Sequence, residues 1–273
     1  NRIINNKMDK NLETIFNNIS INDIEWNKNC YNTFVIQIGD QIDRCRPYIN
    51  HSCKDVRTTL NDKHEDIKIL DLFTKLNQKA VDAETKCRVI SVYGNHEIMN
   101  VDGNLTYVSK KGLDEFEYKG LKGEKARKRA FQQGEEQAKN LACTRYTAVI
   151  VGSFLFVHAS ITPKLAAKYG RNNLEDLDFL VKKWLLNTIT ASDEISGIGK
   201  VSDILWHYKL SPFWPRILGN IPSNSNYKDI NCKSDFDPLL DIYNINGMII
   251  GHTPQSLTNN PEGINKTCVD SNN

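Results

Sequence analysis

The chain has 273 residues, 40% of them hydrophobic and 25% charged, with a formal net charge of +2. It is long enough to bury a core as one large α/β domain or two modest ones. Its charge balance gives no push towards nucleic acid or anionic membranes, and no apolar run approaches the roughly 18–20 residues of a membrane-spanning helix.

The first twenty residues are rich in Asn and Lys and do not read as a secretory signal. Leu12, Ile15, Phe16 and Ile19 predict a short amphipathic helix over 11–19. Thr33 to Ile38 reads as a buried strand ended by Gly39, followed by a polar loop to about Asn61. Ile69, Leu70, Phe73 and Leu76 mark one face of a helix that Asn61 or Asp62 could cap. Cys87 to Tyr93 is the next strand, so strand, helix and strand predict a βαβ unit with a parallel pair. Residues 100–125 are polar and punctuated by glycines, which suggests an inserted loop near a site. Residues 126–142 are basic and helical, read as a solvated outer face. Tyr146 to Val151 and Phe154 to Val157, separated by Gly152-Ser153, predict a hairpin. Leu174 to Ile189 is helical, 190–235 has little periodicity, and Gly247 to Ile250 is the last clear strand. No internal repeat or linker divides the chain, so 1–273 is expected to be a single domain.

Seven dispersed cysteines, with no C-x-x-C pair, argue against both a disulfide framework and a cysteine zinc site. Cys45 and Cys53 are the pair close enough to bond in an oxidising setting. A reducing, cytoplasmic location is the resulting expectation. Four N-x-S/T sequons are read as by-products of an Asn-rich composition.

Four strand-like runs end on residues able to bind metal: Ile36-Gln37-Ile38-Gly39-Asp40, Val92-Tyr93-Gly94-Asn95-His96-Glu97, Phe154-Leu155-Phe156-Val157-His158 and Met248-Ile249-Ile250-Gly251-His252. Ligand sites in open α/β sheets lie beyond the carboxyl ends of strands, so these side chains can converge. Asp, Asn and two His make an oxygen/nitrogen shell suited to Mn, Fe or Zn. Asp40 can bridge two ions. Asp43, in the following turn, can orient a neighbour, and Arg44 offers a planar fork for phosphate oxygens. Taken singly each motif has a bland reading, a surface Asp–Arg turn or a core histidine. Their shared place after strands decides against it.

Gly-Asp-x-x-Asp-Arg, Gly-Asn-His-Glu, a strand-terminal His and Gly-His-Thr-Pro, in this order, resemble the calcineurin-like metallophosphoesterases. The match is closest to the phosphoprotein phosphatases and, within them, to the Shewanella-like (bacterial-like) branch. It covers roughly residues 33–270. The resemblance implies a central mixed β-sandwich flanked by helices, the four-layer metallophosphoesterase fold, with a dinuclear metal centre. It makes Asp40 the bridging carboxylate, with Asn95, His158 and His252 completing one metal site and Asn95 also meeting the phosphate. His96, paired with Asp43, would protonate the leaving oxygen. Arg44 would hold the phosphoryl group. Attack would come from a metal-bridging hydroxide.

The departures also carry expectations. The family's upstream Asp-x-His is absent from residues 1–39, so the chain reads as a fragment lacking the first strand, with one metal site incomplete and weak activity. Asp62-Lys63-His64 is read as a helix cap. Cys45 and Ala159-Ser160 stand where glycines are common. No Arg directly follows Trp206, leaving Arg216 or Lys209 as guesses for a second phosphate contact. The implied substrate is a phosphorylated protein, with no nucleic acid or membrane partner and regulatory subunits unspecified. A dinucleoside polyphosphate or other small phosphoester is the alternative, and an inactive phosphatase-like binding module is another.

Overall fold

The computed structural model describes residues 25–255 and 267–268, apart from 49, 61, 63–64, 170–173, 197–198, 223–224 and 227. The helix expected over 11–19 and the candidate cap Asn61 lie outside these residues, as do Lys63 and His64. The first sheet is built from β1 (Phe34–Gln37), then α1 (Asp66–Asp82), then β2 (Arg88–Val92). Strands β1 and β2 pair in parallel, from Phe34 opposite Arg88 to Gln37 opposite Ser91, as the βαβ pattern predicts. No strand among the described residues lies on the outer side of β1. Helix α1 begins later than the sequence suggests. Its N-cap is Glu65, and Asp62 instead accepts a hydrogen bond from Ser109 Oγ.

Directly after β2 comes α2 (Asn95–Val101), all seven of whose residues are buried. The segment expected to be a polar insertion is folded. It holds α3 (Lys110–Asp114) and the hairpin β3 (Glu117–Tyr118) and β4 (Leu121–Lys122), and it buries Leu105, Val108 and Leu113 in a cluster of their own. The basic stretch is two helices, α4 (Gly123–Phe131) and α5 (Glu136–Thr144), and it is not simply an outer face. Ala126, Arg127, Ala130 and Phe131 of α4 are buried, as are Ala138, Leu141 and Ala142 of α5.

Strand β5 (Arg145–Tyr146) closes the first sheet beside β2. One residue later the chain enters the second sheet, with β6 (Ala148–Val151) and β7 (Phe154–Val157) forming the predicted antiparallel hairpin. The buried residue between the sheets, Thr147, has its backbone N–H held by Asp178 Oδ1 at 2.7 Å. Helices α6 (Pro163–Tyr169) and α7 (Leu174–Leu185) follow, and α7 turns Leu177, Leu180, Val181, Trp184 and Leu185 inward. The region of weak periodicity contains the short hairpin β8 (Glu194–Ile195) and β9 (Gly199–Lys200), then α8 (Val201–Trp206) and α9 (Ile230–Asp235). After α10 (Asp237–Tyr243), β10 (Gly247–Ile250) pairs in parallel with β7. The result is two three-stranded sheets, ordered β1-β2-β5 and β10-β7-β6, flanked by helices. This is the mixed α/β sandwich architecture expected.

The cysteines correct the sequence reading. Cys30 bonds to Cys87, Cys45 to Cys53 and Cys232 to Cys268, with Cys143 free and exposed. Dispersion along the sequence did not forbid pairing, because folding brings Cα atoms 57 residues apart to 6.2 Å in the first bridge. The bridges fit an oxidising setting and remove the ground on which a cytoplasmic location was expected. Among the described residues no helix is long and apolar enough to cross a membrane.

Candidate metal centre

The carboxyl ends of β1, β2, β7 and β10 meet at one point. Gly39 is in the left-handed region at φ +87°, and a Cβ there would lie 2.6 Å from both Gly94 N and His158 Nδ1. Gln37 clasps this turn, accepting from Gly39 N at 3.0 Å and donating to Gly39 O at 2.7 Å. Gly94 is equally confined, since a Cβ would collide with Asp40 N and Oδ1. Two glycines therefore let the β1 and β2 loops touch, which places Asp40 beside the start of α2. Asp40, Asp43 and His252 themselves adopt left-handed backbone, at φ 55°, 66° and 45°. Non-glycine residues seldom do so, and such strain is typical of functional sites.

Glu97 locks the two loops together. Its carboxylate accepts from Gly94 N at 2.6 Å, Asp40 N at 3.0 Å and Gln41 N at 2.7 Å. Burial raises its pKa, and the nearby Asp40 charge adds to that.

His158 is the centre of the cluster. Its Nδ1 lies 2.7 Å from Ile38 O, which assigns the proton to Nδ1 and turns the Nε2 lone pair inward in the neutral ring. Around Nε2 stand Asn95 Oδ1 at 3.0 Å, His252 Nδ1 at 3.2 Å and Asp40 Oδ1 at 3.3 Å. The Asn95 amide nitrogen faces Met99 Sδ at 3.8 Å, so its carbonyl oxygen points into the cluster. The donor atoms of Asp40, His158 and His252 all lie within 4.8 Å of one another.

Burial would lower the His158 pKa, but the hydrogen bond and charge of Asp40 raise it. Burial would raise Asp40, yet His158 brings it down to about 2. His252 is lowered to about 4, first by burial and then by the charge of His158. Three lone-pair donors and a carboxylate aimed at one point repel each other unless a cation lies among them. The donor set therefore fits a divalent ion of the Mn, Fe or Zn type.

Beside this cluster is the second predicted pair. His96 Nδ1 is 3.0 Å from Asp43 Oδ2, and His96 Nε2 faces Asp40 Oδ2 at 3.8 Å. Tyr107, from the segment read as an insertion, stands edge-on to the His96 ring, with centroids 4.9 Å apart. Arg44 is exposed on the wall of a groove of about 290 Å³ that also includes Asp40, Asp43 and Arg46. Of the two guesses for a further cation, Arg216 lies at the site, its Nε 3.4 Å from His252 Nε2, whereas Lys209 sits over the Tyr208 ring. Cys45 is buried in its bridge to Cys53, and Ala159 is buried with its N–H bonded to Pro212 O at 3.1 Å.

A family model for calcineurin-like phosphoesterases matches residues 8–256. The chain belongs to that family. It is 37% identical over 194 residues to an uncharacterized protein of Acanthamoeba polyphaga mimivirus, covering 67% of this chain and 75% of the viral one. It is 26% identical over 275 residues to Shewanella-like protein phosphatase 2 of Arabidopsis thaliana, covering 87% of this chain and 60% of the plant protein. Among solved structures, a cold-active protein tyrosine phosphatase is similar with a TM-score of 0.56 at 18% identity, covering 85% of this chain and 56% of that one. A structure of such a phosphatase from a psychrophilic Shewanella species gives 0.51 at 17% identity, covering 85% of this chain and 57% of that one. At that identity the likeness shows a shared fold. The chain thus spans little more than half the length of these phosphatases.

Two residues of the centre escaped the sequence reading. In the sequence Glu97 has no role beyond its motif, and Arg127 falls in a stretch that reads as a solvated face. Arg127 is buried and donates to Asp43 Oδ1 at 3.1 Å.

Proposed function

We propose that this chain is a metal-dependent phosphomonoesterase acting on phosphoprotein, with Asp40, Asn95, His158 and His252 holding a divalent ion. The convergence of those four donors beside the His96–Asp43 pair carries the reading. Asp40 would also offer its carboxylate to a second ion, for which the described residues offer no further cluster of ligands. Divalent ions bound there supply Lewis-acid polarisation and an acidified water.

The chain's own groups do the rest. Asp43 accepts from His96 Nδ1–H and holds the ring, so that the second proton of the doubly protonated imidazole sits on Nε2. As the ester P–O bond breaks, His96 Nε2–H gives its proton to the leaving oxygen, and water adds to phosphorus on the opposite face. Arg44 and Arg216 flank the ion position and hold the non-bridging phosphoryl oxygens. No serine or cysteine nucleophile is needed, so no phosphoenzyme forms.

The protein substrate is favoured by the relatives, one called a protein phosphatase and another a protein tyrosine phosphatase. The test is hydrolysis of phosphoserine and phosphotyrosine peptides against diadenosine tetraphosphate, with Mn²⁺ supplied. Release of phosphate from peptides and not from the dinucleotide is expected. The reverse preference moves the assignment to small phosphoesters, and no turnover of either, with metal bound, favours a binding module.

A further inference from the structure

Helix α4 is the most basic segment of the chain, yet one of its cations faces inward. The Arg127 side chain is only 1% exposed, with its guanidinium between the rings of Phe116 and Phe131 at 5.6 and 5.2 Å. It makes three directed contacts. Nη2 donates to Asp43 Oδ1 at 3.1 Å and to Asp66 Oδ2 at 2.7 Å, and Nε donates to Asn100 Oδ1 at 2.8 Å.

The contact to Asn100 has a consequence for His96. A guanidinium only donates, so it fixes the Asn100 amide with its oxygen towards Arg127. The amide nitrogen is then left to donate to Asp43 Oδ2 at 2.8 Å and to His96 O at 3.0 Å. Each oxygen of Asp43 is thereby pinned. Oδ1 is held by Arg127, while Oδ2 is held by Asn100 and presented to His96 Nδ1 at 3.0 Å. Asp43 can rotate no further without breaking a buried, charge-assisted bond. The carboxylates of Asp43 and Asp66 also share the one guanidinium, which allows two anions to lie beside each other under α4.

We propose that Arg127 is a positioning residue for proton transfer, acting through Asp43 and Asn100 to hold His96 with Nε2 aimed at the leaving oxygen. This rests on the hydrolytic reading above. Arg127 touches neither the substrate nor the metal ligands, so its loss acts through the geometry of one imidazole. The alternative is a merely structural ion pair, whose loss would weaken all substrates alike.

Leaving-group dependence separates the two. Protonation of the leaving oxygen matters for an alkoxide and little for p-nitrophenolate. Arg127→Met is expected to lower kcat on a phosphoserine peptide by about 10²-fold, within the range of general-acid contributions. The loss on p-nitrophenyl phosphate should be at least roughly tenfold smaller. Arg127→Lys, which keeps the charge but not the fork, should show the same ordering at reduced size. Asp66→Asn, which frees one anchor of Arg127 without touching His96, should do the same. These two decide the matter if circular dichroism shows Arg127→Met unfolded. A second readout is independent of turnover: the His96 Nδ1–H proton resonance, sharp in the metal-free wild type, should broaden or vanish in the variants. Equal losses on both esters in folded variants, or an unchanged resonance, overturn the role of Arg127. A metal-loaded wild type that hydrolyses neither ester overturns the hydrolytic reading instead.

Discussion

Replacing Glu97 by Gln is a near-isosteric change whose effect follows from three hydrogen bonds. The two carboxylate oxygens accept from three backbone N–H groups, Oε2 from Gly94 and Asp40 and Oε1 from Gln41. A glutamine carbonyl can keep the first two. Its amide nitrogen must then face Gln41 N, donor against donor. One ionic hydrogen bond is lost, about 1.5–3 kcal/mol, and a buried N–H is orphaned at about 1–3 kcal/mol. Removing a fully buried charge next to Asp40 offsets part of this, as the raised Glu97 pKa indicates. The net expectation is a destabilisation of about 3 kcal/mol in urea unfolding of the metal-free protein. Because the Asp40 backbone is released at the same time, Mn²⁺ affinity by calorimetry should fall roughly 10–100-fold, as for other groups that orient metal ligands. A stability change under about 0.5 kcal/mol together with unchanged Mn²⁺ affinity would refute the clamp.

Four further outcomes follow from the same structure. The His252 pKa is lowered to about 4 from 6.5, so its contribution to stability is full above pH 6.5 and is lost as pH falls towards 4, where the unfolded chain binds the proton first; His252→Asn should flatten that part of a pH–stability curve of the metal-free protein. Gly39→Ala should lower the melting temperature much more than Gly120→Ala, because both sites have positive φ but at Gly120 a Cβ meets nothing within 4 Å. Replacing Cys30 and Cys87 by Ser releases a loop spanning 57 residues and should cost about 4 kcal/mol by the chain-entropy model. Cys143→Ser, at an exposed free thiol, should change urea unfolding by less than about 0.5 kcal/mol.

The residues that converge were legible because each announces itself locally. Asp40, Asn95, His158 and His252 end apolar runs, with Gly39, Gly94 and Gly251 as punctuation, and strand ends are where α/β sheets gather ligands. The parallel β1–β2 pair and the β6–β7 hairpin were visible in the same way, from β-branched runs and a Gly-Ser turn. What stayed hidden depends on partners distant in sequence. Glu97 acts on backbone N–H groups 56 and 57 residues away, which leave no trace in periodicity. Arg127 was lost by averaging, since five other cations between 122 and 139 made the stretch look solvated. The apolar set Ala126, Ala130 and Phe131 shows which face turns inward, and Arg127 adjoins it. The disulfides were misread because cysteine spacing constrains pairing only when the chain path is known.

The central claim is that Asp40, Asn95, His158 and His252 make one metal position. Calorimetric titration of the metal-free chain with Mn²⁺, compared with His158→Ala, tests it most directly. The wild type should bind at least one ion per chain, and the variant, which removes the nitrogen that the other three donors surround, should lose that binding event. Equal binding by the two proteins, or none by the wild type, would contradict the account.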